Sequence, residues 1–171
     1  MTGSVAALNA LPEPVLAKKL RDCCGSSRWV ARMLTERPYR SAEDLLSAAD
    51  ETWIHAGPED WREAFDHHPR IGERRAQAAV SAEAATWSAH EQAHATADDT
   101  RRQELARLSA EYERRFQRIY IVGASGLGVG EILADLRHRL ENEPEVEARI
   151  AAAEQGKITV LRLRKLIGHD L

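Results

Sequence analysis

The stretch Ile119-Tyr120-Ile121-Val122-Gly123-Ala124-Ser125-Gly126-Leu127-Gly128-Val129-Gly130 decides the fold. Its first four residues are the only strongly β-prone run in the chain, and they lead through glycines into a helix carrying Ile132, Leu133, Leu136 and Leu140. Strand, glycine turn and helix are also the parts of a dinucleotide-binding unit, so two folds compete for this segment. The dinucleotide fingerprint requires G-x-G-x-x-G within a βαβ unit, with an acidic residue about 20 positions on. Here the third glycine, Gly130, comes one residue early, and no second strand follows. No Gly-Lys-Ser/Thr is present, which excludes a Walker phosphate loop. The segment therefore reads as a flexible loop that lets the backbone approach a small ligand, or as a plain helix entry.

Outward from this stretch the chain is helical. Pro14 opens a first helix through Leu16 and Leu20 that ends near Gly25. Ser26 or Ser27 caps a second with Trp29, Val30, Met33 and Leu34, stopped by Pro38. Ser41-x-x-Asp44 is an N-terminal capping signal before Leu45, Leu46 and Ala49, and Pro58 fits the first position of a helix with Trp61, Ala64 and Phe65. Pro69 then interrupts, because proline disfavours helical geometry in the residue before it, and His67-His68-Pro69-Arg70-Ile71-Gly72 becomes a helix end or turn. A long helical tract runs from Ser81 to about Arg118, broken around residues 97–100, with Asp98 or Asp99 capping its second half. Leu105, Leu108, Tyr112 and Phe116 form one apolar stripe there. Pro144 starts a further helix that Gly156 is expected to stop, leaving Ile158 to Ile167 as a last basic one. The fold class expected is all-α: a single compact multi-helix domain over residues 1–171.

Composition bounds the function. The 171 residues hold 24 Lys+Arg against 27 Asp+Glu, a formal charge of −3, with 43% hydrophobic and only 5% aromatic residues. Without a basic block the chain is not expected to bind nucleic acid, whose recognition rests on neutralising phosphates. No apolar run approaches the ~20 residues of a membrane span, and the N-terminus lacks a signal-peptide pattern. Adjacent Cys23-Cys24 make a poor disulfide framework and are read as core packing. His169-Asp170-Leu171 is not the peroxisomal Ser-Lys-Leu address, so the cytoplasm is the expected location.

Two constellations carry candidate chemistry. His90-Glu91-Gln92-Ala93-His94 matches H-E-x-x-H, which on a helix can hold zinc with Glu91 activating its water, given a third ligand such as Glu111 or Glu113. The pattern fixes only three positions, and the surrounding tract is polar and alanine-rich. Ser88-x-x-Glu91-Gln92 places a hydroxyl, a carboxylate and an amide on one helix face, able to orient a polar ligand or simply to be solvated. His68, in its proline-stiffened turn, is of the one residue type that titrates near neutrality without perturbation.

A family resemblance ties these residues together. Cys24-Gly25-Ser26-x-x-Trp29, Arg37-Pro38-Tyr39, Asp60-Trp61-x-x-Ala64-Phe65, His68-Pro69-Arg70-Ile71-Gly72 and Ser88-x-x-Glu91-Gln92 follow one another in order. Tyr112-x-x-x-Phe116, Glu131-Ile132-Leu133 with Arg139-Leu140, and Lys157-Ile158-x-x-Leu161-Arg162-Leu163 complete the series. From about Leu8 to Leu166 the sequence resembles the 2-oxo-4-hydroxy-4-carboxy-5-ureidoimidazoline (OHCU) decarboxylases, which close the route from urate to allantoin. The resemblance implies an all-helical, cofactor-free enzyme, commonly a homodimer, acting on a small molecule. It places the catalytic histidine on His68 and the catalytic carboxylate on Glu91. Pro69, Ser88 and Gln92 match substrate-binding positions, as do Tyr120, Ile121, Val122, Gly123 and Ala124, whose backbone wraps the substrate. Arg162 matches an arginine that reaches the site. No metal is implied, and the H-E-x-x-H match loses its context. A diverged decarboxylase of a related ureido-imidazoline is the nearer alternative; a small zinc hydrolase and a non-catalytic helical interaction module are the more distant ones.

Two departures stand out. His94 occupies a position where the family often has glycine. Arg115-Phe116-Gln117-Arg118-Ile119-Tyr120 replaces the usual K-F-G-F-P-F, so the backbone contacts of the wrapping stretch are expected to change with the loss of Gly-x-Pro.

Overall fold

The computed structural model describes residues 4–69 and 99–168. Among the described residues there are eight helices and no strand: α1 Val5–Asn9, α2 Glu13–Cys23, α3 Ser27–Thr35, α4 Ala42–Ile54, α5 Pro58–Asp66, α6 Asp99–Phe116, α7 Val129–Arg139 and α8 Pro144–Leu166. The all-α expectation is borne out. The chain divides into two compact units, one of Met1–Ala64 with Gly156–Leu171 and the other of Phe65–Gln155.

In the first unit, helices begin where the sequence supplies caps. Ser26 Oγ accepts from Trp29 N–H at 3.1 Å, and Ser41 Oγ accepts from Asp44 N–H at 3.0 Å. Each bond satisfies a donor that the first helical turn leaves orphaned, typically worth ~1 kcal/mol. Pro58 opens α5, and the Asp60 carboxylate three residues on accepts from Gly57 N–H at 3.0 Å. α2 packs on α3 and α3 on α4, burying Leu16, Leu20, Cys23, Trp29, Met33 and Leu45. A fully buried leucine contributes ~1.5–3 kcal/mol, so this apolar set dominates the unit's stability. α1, capped by Ser4, is a helix the sequence did not announce, because five residues are too few to show a period.

The expected stop at Gly156 is not there. α8 runs unbroken for 23 residues, from Pro144 to Leu166. The reason for the glycine is close approach, not termination: a Cβ on Gly156 would lie 3.1 Å from Trp53 Cδ1. The helix absorbs the ~1 kcal/mol propensity cost of a mid-helix glycine to let the indole pack against its backbone.

The second unit is built on the stripe foreseen in α6. Leu105, Leu108, Tyr112 and Phe116 are all buried and pack with Val129, Ile132, Leu133 and Leu136 of α7. Tyr112 lies with its ring centroid 4.7 Å from Phe116, tilted, and 5.4 Å from Tyr120, edge-on, arrangements that aromatic quadrupoles favour. Residues 119–124 carry no regular secondary structure, and Tyr120 and Ala124 pack into this core. The glycine-rich turn that follows is a helix entry. Glu131 Oε2 accepts from Gly128 N–H at 2.8 Å, so a side-chain acid already sits where a phosphate would meet the start of α7.

Nothing in the sequence signals the left-handed turn that ends α6. Gln117 has φ 54°, and its N–H bonds to the Glu113 carbonyl at 2.9 Å, closing α6. A side chain in this region costs ~1–2 kcal/mol, partly offset here by the Gln117 Nε2 bond to the Arg114 carbonyl at 2.8 Å. Gln117→Gly should therefore raise unfolding stability by ~0.5–1 kcal/mol, seen as a higher urea midpoint at unchanged slope; an unchanged or lower midpoint would refute the strain.

Candidate functional site

His68 owes its position to the end of α5. Its N–H bonds to the Phe65 carbonyl at 3.1 Å, and Pro69 blocks another helical turn. The half-buried ring then places Nε2 2.6 Å from Oε1 of Gln155 on α8. Gln155 has no exposed surface. A buried amide without a partner costs ~1–3 kcal/mol, so this contact accounts for a polar residue at an interior helix position.

The stretch Tyr120 to Ala124 is fixed from two sides. Arg139 Nη1 donates to the Ile121 carbonyl at 2.6 Å, and Gly123 N–H donates to Glu154 Oε2 at 2.8 Å. Tyr120, Ile121 and Ala124 are buried, whereas Val122 and Gly123 are only partly so. Consecutive residues of one helix, Glu154 and Gln155, thus hold this stretch and the His68 ring. Both groups belong to the second unit.

Arg139 is itself held by a buried network. Glu147 Oε1 accepts from Arg139 Nε at 2.8 Å, from Arg139 Nη2 at 2.6 Å and from the Tyr112 hydroxyl at 2.5 Å. Glu147 Oε2 accepts from Asn142 Nδ2 at 2.8 Å. The guanidinium also lies 4.8 Å from the Tyr120 ring centroid. Burial alone would lower the Arg139 pKa, but the bonds to Glu147 outweigh it and the net shift is upward. Tyr120 moves upward through burial and through the 2.5 Å hydrogen bond its hydroxyl gives to Asp135, so its phenol stays protonated at neutral pH.

Arg162 is in the first unit, 2% exposed, and its Nη1 donates to the Asp22 carbonyl at 3.0 Å. Ser88, Glu91 and Gln92, together with His90 and His94 of the H-E-x-x-H pattern, lie outside the described residues. Cys23 and Cys24 are free and buried, and burial pushes the Cys24 thiol up to about 12 and Cys23 in the same direction. Neither is a thiolate nucleophile at neutral pH, in keeping with core packing. Glu147, Glu154 and Gln155 were missed by sequence reasoning. Their signal was hidden because Gly156 made 154 and 155 look like the frayed end of a helix.

Removing one member of a buried ion pair strands the other and typically costs ~3–5 kcal/mol, whereas an apolar replacement of both is far milder. Glu147→Leu should accordingly destabilise the protein by ~3–5 kcal/mol, and Arg139→Met with Glu147→Leu by clearly less than Glu147→Leu alone. Chemical denaturation of the two variants checks this, and a double variant as unstable as the single one or worse would contradict it.

Comparison with known proteins agrees with this framework. The profile of the family described as OHCU decarboxylase matches residues 9–164. A uric acid degradation bifunctional protein (TTL) of Arabidopsis thaliana is 41% identical over 146 residues, 84% of this chain and 45% of that protein. A corresponding bifunctional protein of Bacillus sp. (strain TB-90) is 26% identical, and 28% of its length is covered; the chain thus spans less than half of either. A 2-oxo-4-hydroxy-4-carboxy-5-ureidoimidazoline decarboxylase of Mus musculus is 32% identical over 81% of this chain and 78% of its own length. The crystal structure of OHCU decarboxylase in the presence of (S)-allantoin aligns with a TM-score of 0.71 at 36% identity, covering 88% of this chain and 97% of that one. Nearly the whole helical framework around His68 is therefore shared, and this chain belongs to the OHCU decarboxylase family.

Proposed function

We propose that this chain decarboxylates OHCU to (S)-allantoin and carbon dioxide. The observation that carries the reading is the His68 imidazole, held at a proline-ended helix with Nε2 2.6 Å from buried Gln155. That ring occupies the position the family resemblance gives to the catalytic histidine.

Decarboxylation leaves an electron pair on carbon, and many enzymes recruit a cofactor to accept it. OHCU carries its own acceptor, the ring C5=N bond beside C4. The C4–carboxylate bond breaks, its electrons form C4=C5, and the former imine nitrogen takes the displaced pair with a proton. The resulting enol loses its hydroxyl proton, C4 becomes a carbonyl, and one proton arrives on a single face of C5. The protein's task is therefore to orient the carboxylate and to move protons. His68 is assigned the general acid/base role, a type of catalysis worth ~10²–10⁴-fold. Within Tyr120 to Ala124, the backbone groups other than the Ile121 carbonyl and the Gly123 N–H, which Arg139 and Glu154 take, are the candidates to meet the lactam and ureido edges. The parts given to Glu91 as proton-transfer partner, to Ser88 and Gln92 as ligand contacts, and to Arg162 as carboxylate fork rest on the family resemblance, as does a homodimeric, cofactor-free enzyme.

The test generates OHCU enzymatically from urate and follows (S)-allantoin by circular dichroism. Wild-type protein should speed the appearance of the (S) signal, and His68→Asn should lose ~10²–10⁴-fold of that rate while keeping its far-ultraviolet spectrum. Wild-type-like turnover by His68→Asn would overturn the assignment, and no effect of the wild-type protein would overturn the function.

A further inference from the structure

Gln155 stands in the middle of α8 with no exposed surface, flanked by the buried Ala151, Ala152 and Ile158. Its Oε1 meets His68 Nε2 at 2.6 Å, across 87 residues of sequence. An amide oxygen only accepts hydrogen bonds, so Nε2 must carry a proton to make this contact. A neutral imidazole holds one N–H, and its lone pair then belongs to Nδ1.

We propose that Gln155 is the positioning residue of the reaction: it locks His68 in the Nε2–H tautomer and makes Nδ1 the atom that takes and returns the proton. This rests on the proposed function in its account of turnover, but not in its account of the tautomer. The choice of an amide has chemical sense. A carboxylate at the same place would favour the charged ring, by analogy with other close charge pairs. The neutral amide oxygen keeps its hydrogen bond in both the neutral and the protonated ring, because Nε2 carries hydrogen in each. The ring can therefore cycle a proton at Nδ1 without losing its anchor. The neighbouring Glu154 accepts from Gly123 N–H at 2.8 Å, so the same helix turn registers the ring against the 120–124 stretch.

Histidine-selective ¹⁵N labelling with long-range ¹H–¹⁵N correlation spectra reads the tautomer directly in the ligand-free protein. The His68 signals are identified by their loss in His68→Asn among the seven histidines. The wild-type ring should show a protonated Nε2 and an unprotonated Nδ1 at a pH where it is neutral; a proton on Nδ1 overturns the proposal without recourse to any variant. Gln155→Leu should give a mixed or reversed tautomer and a kcat on OHCU at least ~10-fold lower at little changed KM. Gln155→Glu, which keeps an acceptor, should restore the Nε2–H signature and part of the rate. An unchanged tautomer in Gln155→Leu overturns the proposal as well. A protein with the expected tautomer but no action on OHCU would sink the decarboxylase reading and leave the positioning role standing; an active protein with the opposite tautomer would do the reverse.

Discussion

The hydrogen bond from the Arg139 guanidinium to the Ile121 carbonyl is the contact on which the second unit turns. Residues 119–124 have β-prone side chains but no neighbouring strand among the described residues, so their backbone groups lack the ladder that normally satisfies them. Buried peptide groups must find other partners. The protein supplies them from side chains, Arg139 taking the Ile121 carbonyl and Glu154 the Gly123 N–H. Two helices thereby supply the partners that neighbouring strands would have given, and the segment is held without belonging to a sheet.

That solution requires an arginine in the core, and a guanidinium there needs a counter-charge. Glu147 provides it with no exposed surface. Its two oxygens receive four donors, two from Arg139 and one each from Tyr112 and Asn142. Such a pair is not a net source of stability, since desolvation cancels much of the attraction. Its value is positional. With Nε and Nη2 taken by Glu147, Nη1 points at the Ile121 carbonyl and the guanidinium lies near the Tyr120 ring.

The fold was legible where a residue's neighbours in sequence decide its structure. The Ser26 and Ser41 caps, Pro58 at a helix start, the Pro69 stop and the Leu105-Leu108-Tyr112-Phe116 stripe are all short-range facts, and all were read correctly. Gly156 was misread because a glycine looks the same in sequence whether it ends a helix or admits an indole; Trp53, over 100 positions away, makes the difference. The positive φ of Gln117 had no signal in the sequence: glycine is the cheapest way into the left-handed region but not the only one, and the bond from the Gln117 N–H to the Glu113 carbonyl closes the helix there. His68 stands out in the sequence as a histidine in a proline-stiffened turn, whereas nothing at position 155 announces that its amide meets that ring 87 residues earlier.

The continuity of α8 bears on the chemistry as well. Had the helix stopped at Gly156, Glu154 and Gln155 would sit in a last turn, where hydrogen bonds fray and side chains gain freedom. Within a 23-residue helix they are held by complete turns on both sides. Proton transfer gains most when donor and acceptor are fixed before the substrate arrives, because orientation then costs nothing at the moment of reaction. In the proposed reaction the substrate supplies its own electron acceptor, which leaves orientation as the protein's main contribution. An unbroken helix that holds the ring and the 120–124 stretch is a rigid means of making it, and the packing of Trp53 on Gly156 shows how a helix can admit a bulky neighbour without being interrupted.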